Sequence, residues 1–579
     1  MLYIECANSL MSERVQRFVY ESSLSQCYTL KVQLHLNLPL EFQQIVFKNA
    51  HLSYQDPHQE RHWIHGCVTH LESEYDANQQ LYLTTITIRP SLYLLHYSRQ
   101  FRVFNQCALL DQARLVVNNL LRQRKLPSHY ANFNVTDALL TTDFNRATVQ
   151  YADHDLAFFE QTIQMGARYY FTQGEEIEQL IVIDTPQALP DRNQIIQYQP
   201  DKKEAITQTE TPVFYTFNLQ QNQRRQAKPV YFDPFNPHSS RNYLHKNVQA
   251  EQGMTSIVCY APTDQYHLIA QRLTDQLNAQ EKYYDFGTYY SNLLIGECLQ
   301  IATEQDSASV FIESLTMHAE QSNDIWRFEI SGIARPYDAQ GPWLGPYQEP
   351  AKMPGFLRGA MIPELAQIND FGQHQVQFPL DLTAGNEAPA VFLRELQETS
   401  TQRGGATHSV SGQAEALLVS QDGLHTDWLI AGSLTNEGRE TTVTPNNYQQ
   451  SRIATNSGLN MHLTRQDDSN PYGQLGIHLA DSDANNASVN LGTNQNLLDA
   501  SPSAHGIQES SSGYAKRIAS GNHYQTIGSV DYPIRQSRLT QAGGLTQHST
   551  QMNIGHGCYT QIYQSDPAGV KTVTPTQSS

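Results

Sequence analysis

The chain has 579 residues, of which 39% are hydrophobic and only 16% are charged, and it contains 31 tyrosines. This length is sufficient for roughly three to four domains, and the polar, tyrosine-rich composition favours hydrogen-bonded sheets over charged helical bundles. The formal net charge of −19 argues against nucleic acid as a partner, because binding to a phosphate backbone requires clustered Lys and Arg.

The N-terminal segment, from Phe18 to about Thr87, predicts β-strands. Residues Thr29–Leu38 and Leu81–Ile88 alternate with period two and contain β-branched residues, the pattern of strands in a barrel or sheet. A helix is predicted over Ala108–Leu121, where apolar residues recur at helical spacing and Asp111 is an early acidic residue.

A second helix is predicted over Asp153–Met165, followed by the strands Arg168–Phe171 and Leu180–Asp184. Residues 186–237 are polar and interrupted by prolines, which predicts loops and weak strands. A short helix is expected between Asp264 and Leu277.

Residues 336–355 contain five prolines and three glycines and are predicted to be a linker, since they can continue neither a helix nor a central strand. Short strand-like runs separated by turn residues follow, and their spacing predicts a small all-β barrel. The runs lie at 356–362, 374–378, 390–396, 414–419 and 427–434.

After Asn447, short alternating stretches such as Leu475–Asp481 and Ala487–Gly492 are broken by Asn, Ser and Gly. No apolar run in this tail is long enough to form a core of its own. The tail is therefore predicted to bury its strands against copies of itself, which is typical of a part of an assembly rather than of an isolated enzyme.

The sequence shows neither a membrane-spanning segment nor a secretion signal, and its cysteines are scattered. No stretch approaches the roughly 18 to 20 apolar residues that cross a bilayer, so no stable membrane insertion is expected. The first residues lack the basic flank and apolar core of a secretion signal, so we expect folding in the cytosol. The seven cysteines are scattered without a C-x-x-C pair, which favours buried free thiols over zinc or redox sites.

Motifs for catalysis and nucleotide binding are missing from the sequence. It has no G-x-S-x-G, H-E-x-x-H or G-x-x-x-x-G-K-[ST] motif and no G-x-G-x-x-G after a strand. We therefore predict no catalytic, cofactor-binding or metal-binding residues and no cofactor.

The histidine-containing clusters are interpreted as structural. His556 and Cys558 alternate in a Gly-rich hexapeptide, but two ligands are too few for a closed zinc site, and turn glycines around a half-buried Cys explain the pattern better. His62 and His65 are three residues apart, which on a strand places them on opposite faces, so a shared site is not expected.

Two further groups have ordinary structural explanations. Glu175 and Glu176 occupy the predicted turn between two strands, where solvated charge belongs. The aromatic stretch Arg168–Phe171 is compatible with a carbohydrate or base-stacking platform, but packing in a strand core or interface is the better interpretation.

Three N-terminal stretches carry a recognisable pattern in a fixed order: Ile64–Glu72, Ile88–Leu121 and Val149–Gln173. Together they resemble VgrG, the trimeric spike protein family of bacterial type VI secretion, which is related to the hub and spike of contractile phage tails. This sequence departs from the family pattern at Ala152 and at Gln164-Met165, and residues 186–247 match poorly.

The resemblance continues into the C-terminal half. Asn369–Phe378 and Ala414–Asn436 resemble the family's OB-fold, with Gln373 and His374 in place of an Arg-Val pair. Residues 445–463, 488–492 and 513–521 resemble the beginning of the family's needle, and the last fifty or so residues carry no family signature.

The resemblance implies a mainly β fold with tandem hub barrels and a few helices, an OB-fold neck, and a C-terminal intertwined β-prism or β-helix needle in a homotrimer. The expected regions are 1–345 for the hub, 346–440 for the neck and 441–579 for the needle. The implied partners are an Hcp-type tube protein at the base, a PAAR-type tip protein or effector at the needle, and baseplate proteins. The implied localisation is cytoplasmic before firing, followed by secretion or delivery into a target cell without a signal peptide.

The implied function is a non-enzymatic spike and hub that punctures an envelope and carries effectors. Two alternatives stay open: a spike with an effector activity of its own, such as an envelope hydrolase or another toxin, and a cargo adaptor derived from the hub. Only about a dozen residues separate Thr435 from Asn447, which leaves no room for a lysozyme-type insert.

Overall fold

The structure is a computed structural model. It describes residues 2–6, 9–10, 15–56, 60–105, 107–142, 147–200, 213–222, 225–231, 241–242, 255–260, 266–279, 281–303, 307–322, 325–338, 343, 345, 356–361, 368–369, 372–378, 390–396, 400–401, 404–405, 414–420, 428–434, 445, 450–454, 459–464, 474–480, 486–493, 505–511, 563–566 and 569–572.

The chain forms two compact units, the first reaching Leu434 and the second made mainly of the residues that follow. Both are built mainly from strands. None of the helices in the described part of the chain combines the length and the apolar character that a bilayer crossing requires.

The first unit begins with the strands of the region predicted to be the hub, which are called the hub strands below. In chain order these are β1 (Leu2–Cys6), β2 (Ser9–Leu10), β3 (Val15–Ser23), β4 (Thr29–Leu36), β5 (Asn49–Gln55), β6 (Arg61–Asp76), β7 (Leu81–Arg89), β8 (Arg99–Asn105), β9 (Ala131–Asn134), β10 (Ala147–His154), β11 (Arg168–Gln173), β12 (Glu178–Ile183), β13 (Asp191–Tyr198), β14 (Val213–Gln221), β15 (Arg225–Tyr231), β16 (Arg241–Asn242), β17 (Thr255–Tyr260), β18 (Lys282–Thr288), β19 (Cys298–Ala302), β20 (Ser307–Ser322) and β21 (Ile325–Pro336).

Helices lie between these strands. They are α1 (Phe42–Ile45), α2 (Leu109–Arg124), α3 (Ala138–Thr141), α4 (Asp155–Ile163) and α5 (Tyr266–Asn278), with 3-10 turns at Ser91–Tyr97, Ser128–Tyr130 and Pro186–Ala188. In α2 the buried residues recur every three or four positions, Asp111 is in the first turn and arginines are in the last, which complements the helix dipole. Lys125 ends this helix in the left-handed conformation, with φ of 54°.

Thirteen of the hub strands form one sheet, in the order β19-β13-β14-β18-β21-β20-β3-β4-β7-β6-β5-β1-β2. An additional pairing of β19 with β20 closes the six strands from β19 to β20 into a ring. In β4, alternate residues from Leu30 to Leu36 are buried and their neighbours are not, which is the pattern of a strand with one face in the core. Smaller sheets β11-β12-β9, β16-β15-β17 and β8-β10 complete the hub.

The remainder of the first unit is a closed barrel. Its strands are β22 (Leu357–Met361), β23 (His374–Gln377), β24 (Ala390–Glu395), β27 (Glu415–Ser420) and β28 (Trp428–Leu434), and a small sheet pairs β25 (Ser400–Thr401) with β26 (Gly404–Gly405). Alternate residues of these strands fill the interior around Phe378 and Trp428, whose rings lie 5.9 Å apart.

The second unit contains a five-stranded antiparallel meander and a short hairpin. The meander runs through β29 (Gln450–Ala454), β30 (Leu459–Thr464), β31 (Gln474–Ala480), β32 (Asn486–Thr493) and β33 (His505–Ser511), and the hairpin pairs β34 (Tyr563–Asp566) with β35 (Gly569–Thr572).

Most of the predicted elements are confirmed. The structure has helices at α2, α4 and α5, five barrel strands at the five predicted runs, and strands at both predicted alternating stretches of the tail. The mainly β fold class is also confirmed.

One expectation about irregular structure was wrong. Residues 186–237 were expected to be loops and weak strands, but β13 and β14 are strands of eight and nine residues within the large sheet. Neighbouring strands there supply the stability that polar, proline-interrupted sequence does not predict. Trp343 of the predicted linker is buried in the hub core, so this part of the linker is anchored.

The cysteine expectation holds for some of the described residues. Cys27, Cys67, Cys107 and Cys298 are not in disulfides. Cys67 and Cys298 are buried as predicted, whereas Cys27 and Cys107 are only partly buried.

Candidate functional site

One joint in the hub lies at Glu313, where β20 changes partners. The first residues of β20 pair with β19, whereas Ser314–Glu320 pair with Arg17–Ser23 of β3. The register of β20 against β21 shifts between Ile312 and Ser314, so Glu313 is the extra residue of a β-bulge. The bulge is thus the point at which β20 passes from the ring to the rest of the sheet.

The Glu313 carboxylate is held by two arginines. Arg168 of β11 donates to both carboxylate oxygens, with Nη1 2.8 Å from Oε2, and Nη2 of Arg335 of β21 donates to Oε1 at 3.0 Å. All three residues are buried. The group therefore joins three strands by charge-assisted hydrogen bonds, and it carries one more positive than negative charge.

The pKa values of Glu313 and Arg335 reflect both their burial and the charges beside them. Burial alone would raise the pKa of Glu313, but the adjacent Arg168 and Arg335 hold it below the usual value. Burial lowers the pKa of Arg335 to about 10, with Glu313 opposing that shift and Arg168 adding to it. The carboxylate is stabilised, whereas the positive charge of Arg335 is not fully compensated.

Backbone contacts reinforce the same joint. The carbonyl of Glu313 accepts hydrogen bonds from the Leu24 amide at 2.9 Å and from Ser23 Oγ at 3.4 Å. The Ser25 amide donates to the Tyr169 carbonyl at 2.7 Å. The turn after β3 is therefore tied to both β20 and β11.

Trp343 covers the other side of Arg168. The Arg168 Cζ atom lies 5.4 Å from the centre of the indole ring, a cation–π contact, and the ring centre of Phe311 lies 5.7 Å away. The indole Nε1 donates to the Ile183 carbonyl at 3.5 Å. The chain leaving the hub is thus anchored on the charged triad.

A second joint connects the hub to the barrel through the ribbon of β8 and β10. Val103 pairs with Val149, and both belong to the hydrophobic core of the barrel, together with Phe378 and Trp428. Phe101 and Tyr151 pack against the same core. One face of a hub ribbon therefore completes the interior of the barrel.

The opposite face of this ribbon carries a buried ion pair. Arg102 pairs with Gln150 across the ribbon and donates to both carboxylate oxygens of Asp155 at the start of α4, at 2.9 and 3.2 Å. Gln150 accepts from Arg102 at 2.7 Å and donates to Asp155 at 2.7 Å. The ribbon is consequently fixed to the hub on one side by polar contacts and to the barrel on the other by apolar contacts.

The meander of the second unit has two chemically different faces. Paired residues of neighbouring strands share a face, and the registers define rows of such residues across the sheet. On one face the rows are Ile453, Met461, Ile477, Val489 and Glu509, and Ser451, Leu463, Leu475, Leu491 and Ile507, which are mainly apolar. On the other face they are Arg452, His462, Gly476, Asn490 and Gln508, and Ala454, Asn460, His478, Ser488 and Ser510, which are mainly polar.

Among the residues whose exposure is described, the apolar face is only partly covered, since Met461 and Ile477 on it are partly buried. Ile453 is 49% and Leu463 53% exposed, and none of the buried core residues described lies after Ile430. An exposed apolar sheet face of this kind marks an interaction surface.

The histidines and glutamates discussed above occupy separate places. His62 stacks on Tyr54 with ring centres 5.1 Å apart, whereas His65 Nε2 lies 2.9 Å from the Gly174 carbonyl oxygen. The two imidazoles do not form one site, as predicted. Glu175 and Glu176 are exposed in the turn between β11 and β12, also as predicted.

The remaining predicted groups have different outcomes. The aromatic stretch Arg168–Phe171 is buried in β11, which confirms strand packing over a stacking platform. The pair His556 and Cys558 lies outside the described residues.

Asp56, Glu60 and His62 form a group of metal-ligand type at the β5–β6 hairpin, with ligand atoms within 4.8 Å of one another. Asp56 Oδ1 accepts from the Glu60 amide at 2.8 Å, and Oδ2 lies 3.3 Å from His62 Nε2. Asn292 donates to Glu60 at 2.8 Å. These contacts explain the group as hairpin closure, and the absence of metal ligands stays a prediction.

Sequence reasoning missed the charged residues of both joints. The available signal is a charge beside an apolar run, as in Val310–Glu313, because a buried charge requires a partner. The partner itself is not readable from the sequence, since Arg168 lies 145 positions from Glu313.

The comparisons with known proteins agree with this architecture. The model of the phage tail baseplate hub family (GPD) matches residues 21–323. No curated protein matches the chain.

Two groups of solved structures share the fold. The E. coli c3393 protein, a type VI secretion component with structural similarity to the T4 bacteriophage tail proteins gp27 and gp5, has 14% identity and a TM-score of 0.52, covering 73% of this chain and 97% of its own. Chains of the Francisella PdpA-VgrG complex in its half-lidded form and of the lidless PdpA-VgrG complex have 9% identity and TM-scores of 0.56. Each covers 88% of this chain, and the shares of their own length are 88% and 98%.

Proposed function

We propose that this chain is the fused hub and spike of a type VI secretion apparatus. It acts as a homotrimer, punctures the target envelope and carries effectors. The chain belongs to the phage tail baseplate hub (GPD) family. The family membership assigns a structural hub role to residues 21–323. The finer statements rest on the order of the parts: hub sheets, a closed five-stranded barrel and then a sheet with a partly exposed apolar face.

The apolar face of the meander is the observation that carries the trimer. A single copy leaves Ile453 and Leu463 of this face exposed to water, at a cost of about 25 cal/mol for each Å² of apolar surface. Three copies that pack these faces together bury them and form a prism. We propose the regions 1–345, 346–440 and 441–579 as hub, neck and needle of each protomer.

Light scattering on the purified full chain tests the trimer. The expected mass is three times the chain mass of 65.5 kDa at micromolar concentration. A stable species of 65.5 kDa under those conditions contradicts the proposal.

The proposed partners follow from the same role. They are an Hcp-type tube protein at the base, baseplate proteins around the hub, and a PAAR-type tip protein or effector at the needle. Co-purification of the chain with an Hcp-type ring, compared between the intact chain and a chain lacking residues 441–579, tests the base contact: the ring is expected to bind both.

We also propose that the chain has no enzymatic activity and acts through stiffness. The two joints favour this function, because each ties several strands together by buried contacts rather than leaving a hinge. Hydrolysis of peptidoglycan or modification of another target by the purified protein supports the alternative of a spike with its own effector activity.

Export separates the spike from a cargo adaptor. The proposed spike is cytoplasmic until the sheath contracts and is then released without a signal peptide. Detection in culture medium that disappears when sheath contraction is blocked is the expected result, whereas strict retention in the cell favours the adaptor.

A further inference from the structure

A cavity of about 240 Å³ lies beside the Glu313 joint. Its lining includes all three members of the Arg168–Glu313–Arg335 triad, and the rest is largely polar, with glutamine, serine and tyrosine residues. Gln26 of the lining is exposed, which places this part of the cavity wall at the protein surface. Its volume is far more than one water needs but below the roughly 300 Å³ at which drug-sized ligand sites begin, so it fits a small ligand.

The charge of the lining selects the ligand class. Arg168 and Arg335 share the single carboxylate of Glu313, which leaves one uncompensated positive charge. Arg168 is 1% exposed, and its Nε has no hydrogen-bond partner among the described residues. A buried surplus cation beside a polar cavity is stabilised by an anion, because the interaction is poorly screened there.

We propose that this cavity binds a small oxyanion, a carboxylate or a phosphate, next to the Arg335 and Arg168 guanidinium groups. The planar guanidinium matches the two oxygens that either group presents. The lining glutamine amides and the Tyr283 hydroxyl supply neutral donors around it. This inference goes beyond the proposed spike function and does not depend on it.

Glu160 also lines the cavity and opposes anion binding when it is ionised. Burial raises the pKa of this carboxyl, although the hydrogen bond from the Tyr169 hydroxyl, at 2.6 Å, lowers it. At a pH above this raised pKa, where Glu160 is ionised, removal of its charge should strengthen anion binding, the opposite of the effect expected from removal of the Arg335 charge.

The test is isothermal titration of the full chain with inorganic phosphate and, separately, with acetate, at constant ionic strength set with chloride. The Arg335→Gln variant should bind the preferred anion at least tenfold more weakly, and Glu160→Gln severalfold more tightly. Arg114→Gln on α2, which removes an exposed arginine paired with Asp111, is the matched control and should bind like the wild type.

The two anions distinguish a phosphate ligand from a carboxylate ligand. Equal binding by wild type and a folded Arg335→Gln variant overturns the site, as does the absence of saturable binding of either anion by the wild type. Because Arg335→Gln alters a buried triad, Glu160→Gln provides the independent arm: unchanged affinity in that variant also contradicts the proposal.

Discussion

At the scale of single residues, Glu313 is the shared carboxylate partner of two buried guanidinium groups, and its replacement removes that partner from both. We expect Glu313→Gln to lower the free energy of unfolding of the hub by roughly 3–5 kcal/mol, as when one member of a buried ion pair is removed. Urea unfolding followed by tyrosine and tryptophan fluorescence measures this.

Glu320→Gln is the control for this prediction, because Glu320 lies on the same strand but is exposed. A surface change of this kind alters stability by no more than about 0.5 kcal/mol. Equal stability of the two variants would mean that the triad does not stabilise the hub.

Glu178 makes a prediction about pH. Burial raises the pKa of this carboxyl, even though the Ser91 amide donates to it at 2.8 Å. Between the unfolded and the raised folded pKa the native state binds more protons, so this group's contribution to stability falls as pH rises. Glu178→Gln keeps an acceptor for Ser91 without the charge, so the variant should be more stable than wild type at pH 7, and the gain should shrink towards pH 4.

Thermal melting of both proteins at several pH values measures this difference. Glu175→Gln, at an exposed turn position of the same hairpin, is the control. A gain for Glu178→Gln that grows as pH falls would contradict the assigned sign.

Local sequence patterns predicted part of these sites. The alternation that places His62 and His65 on opposite faces, and the turn that exposes Glu175 and Glu176, are local properties and were read correctly. Glu178, two residues after Glu176, is buried beside Ser91. That contact is set by tertiary packing, which local pattern does not encode.

At the scale of elements, the β8–β10 ribbon belongs to the hub in sequence but to the barrel in packing. We expect Val149→Asp to destabilise the barrel by roughly 2–5 kcal/mol, because it places a carboxylate in the apolar core. Hydrogen exchange of β22, β23 and β28 should become faster, which mass spectrometry detects.

Leu115→Asp is the matched control, since Leu115 is 42% exposed on α2. Unchanged exchange in the barrel strands of Val149→Asp would show that the ribbon is not part of the barrel core.

Elements with strong periodicity were the predictable ones. Helix α2, the barrel strands and β4 follow from spacing, whereas β13 and β14 gain their stability from neighbours in the sheet. Trp343 also shows that local sequence does not reveal tertiary packing. A proline-rich segment is predicted to be a linker even when one of its residues inserts into a core.

At the scale of the whole molecule, the barrel and the second unit differ in how far they remove their apolar side chains from water. The barrel encloses its alternate residues in one copy, around Phe378 and Trp428. The meander has the same alternation but leaves Ile453 and Leu463 exposed. That the tail lacks a core of its own stays a prediction, and the registers add that Ile453, Met461 and Ile477 lie on one face of the meander.

This face gives the last prediction. Leu463→Asp places a charge in the middle of the proposed contact between copies, and loss of one buried leucine per protomer costs about 1.5–3 kcal/mol. Association should weaken by at least about tenfold per interface, since 1.4 kcal/mol corresponds to a factor of ten. Ser488→Asp adds the same charge on the opposite face of the sheet and should leave association unchanged. Sedimentation at a series of concentrations measures both variants, and equal weakening would mean that the copies do not meet through the apolar face.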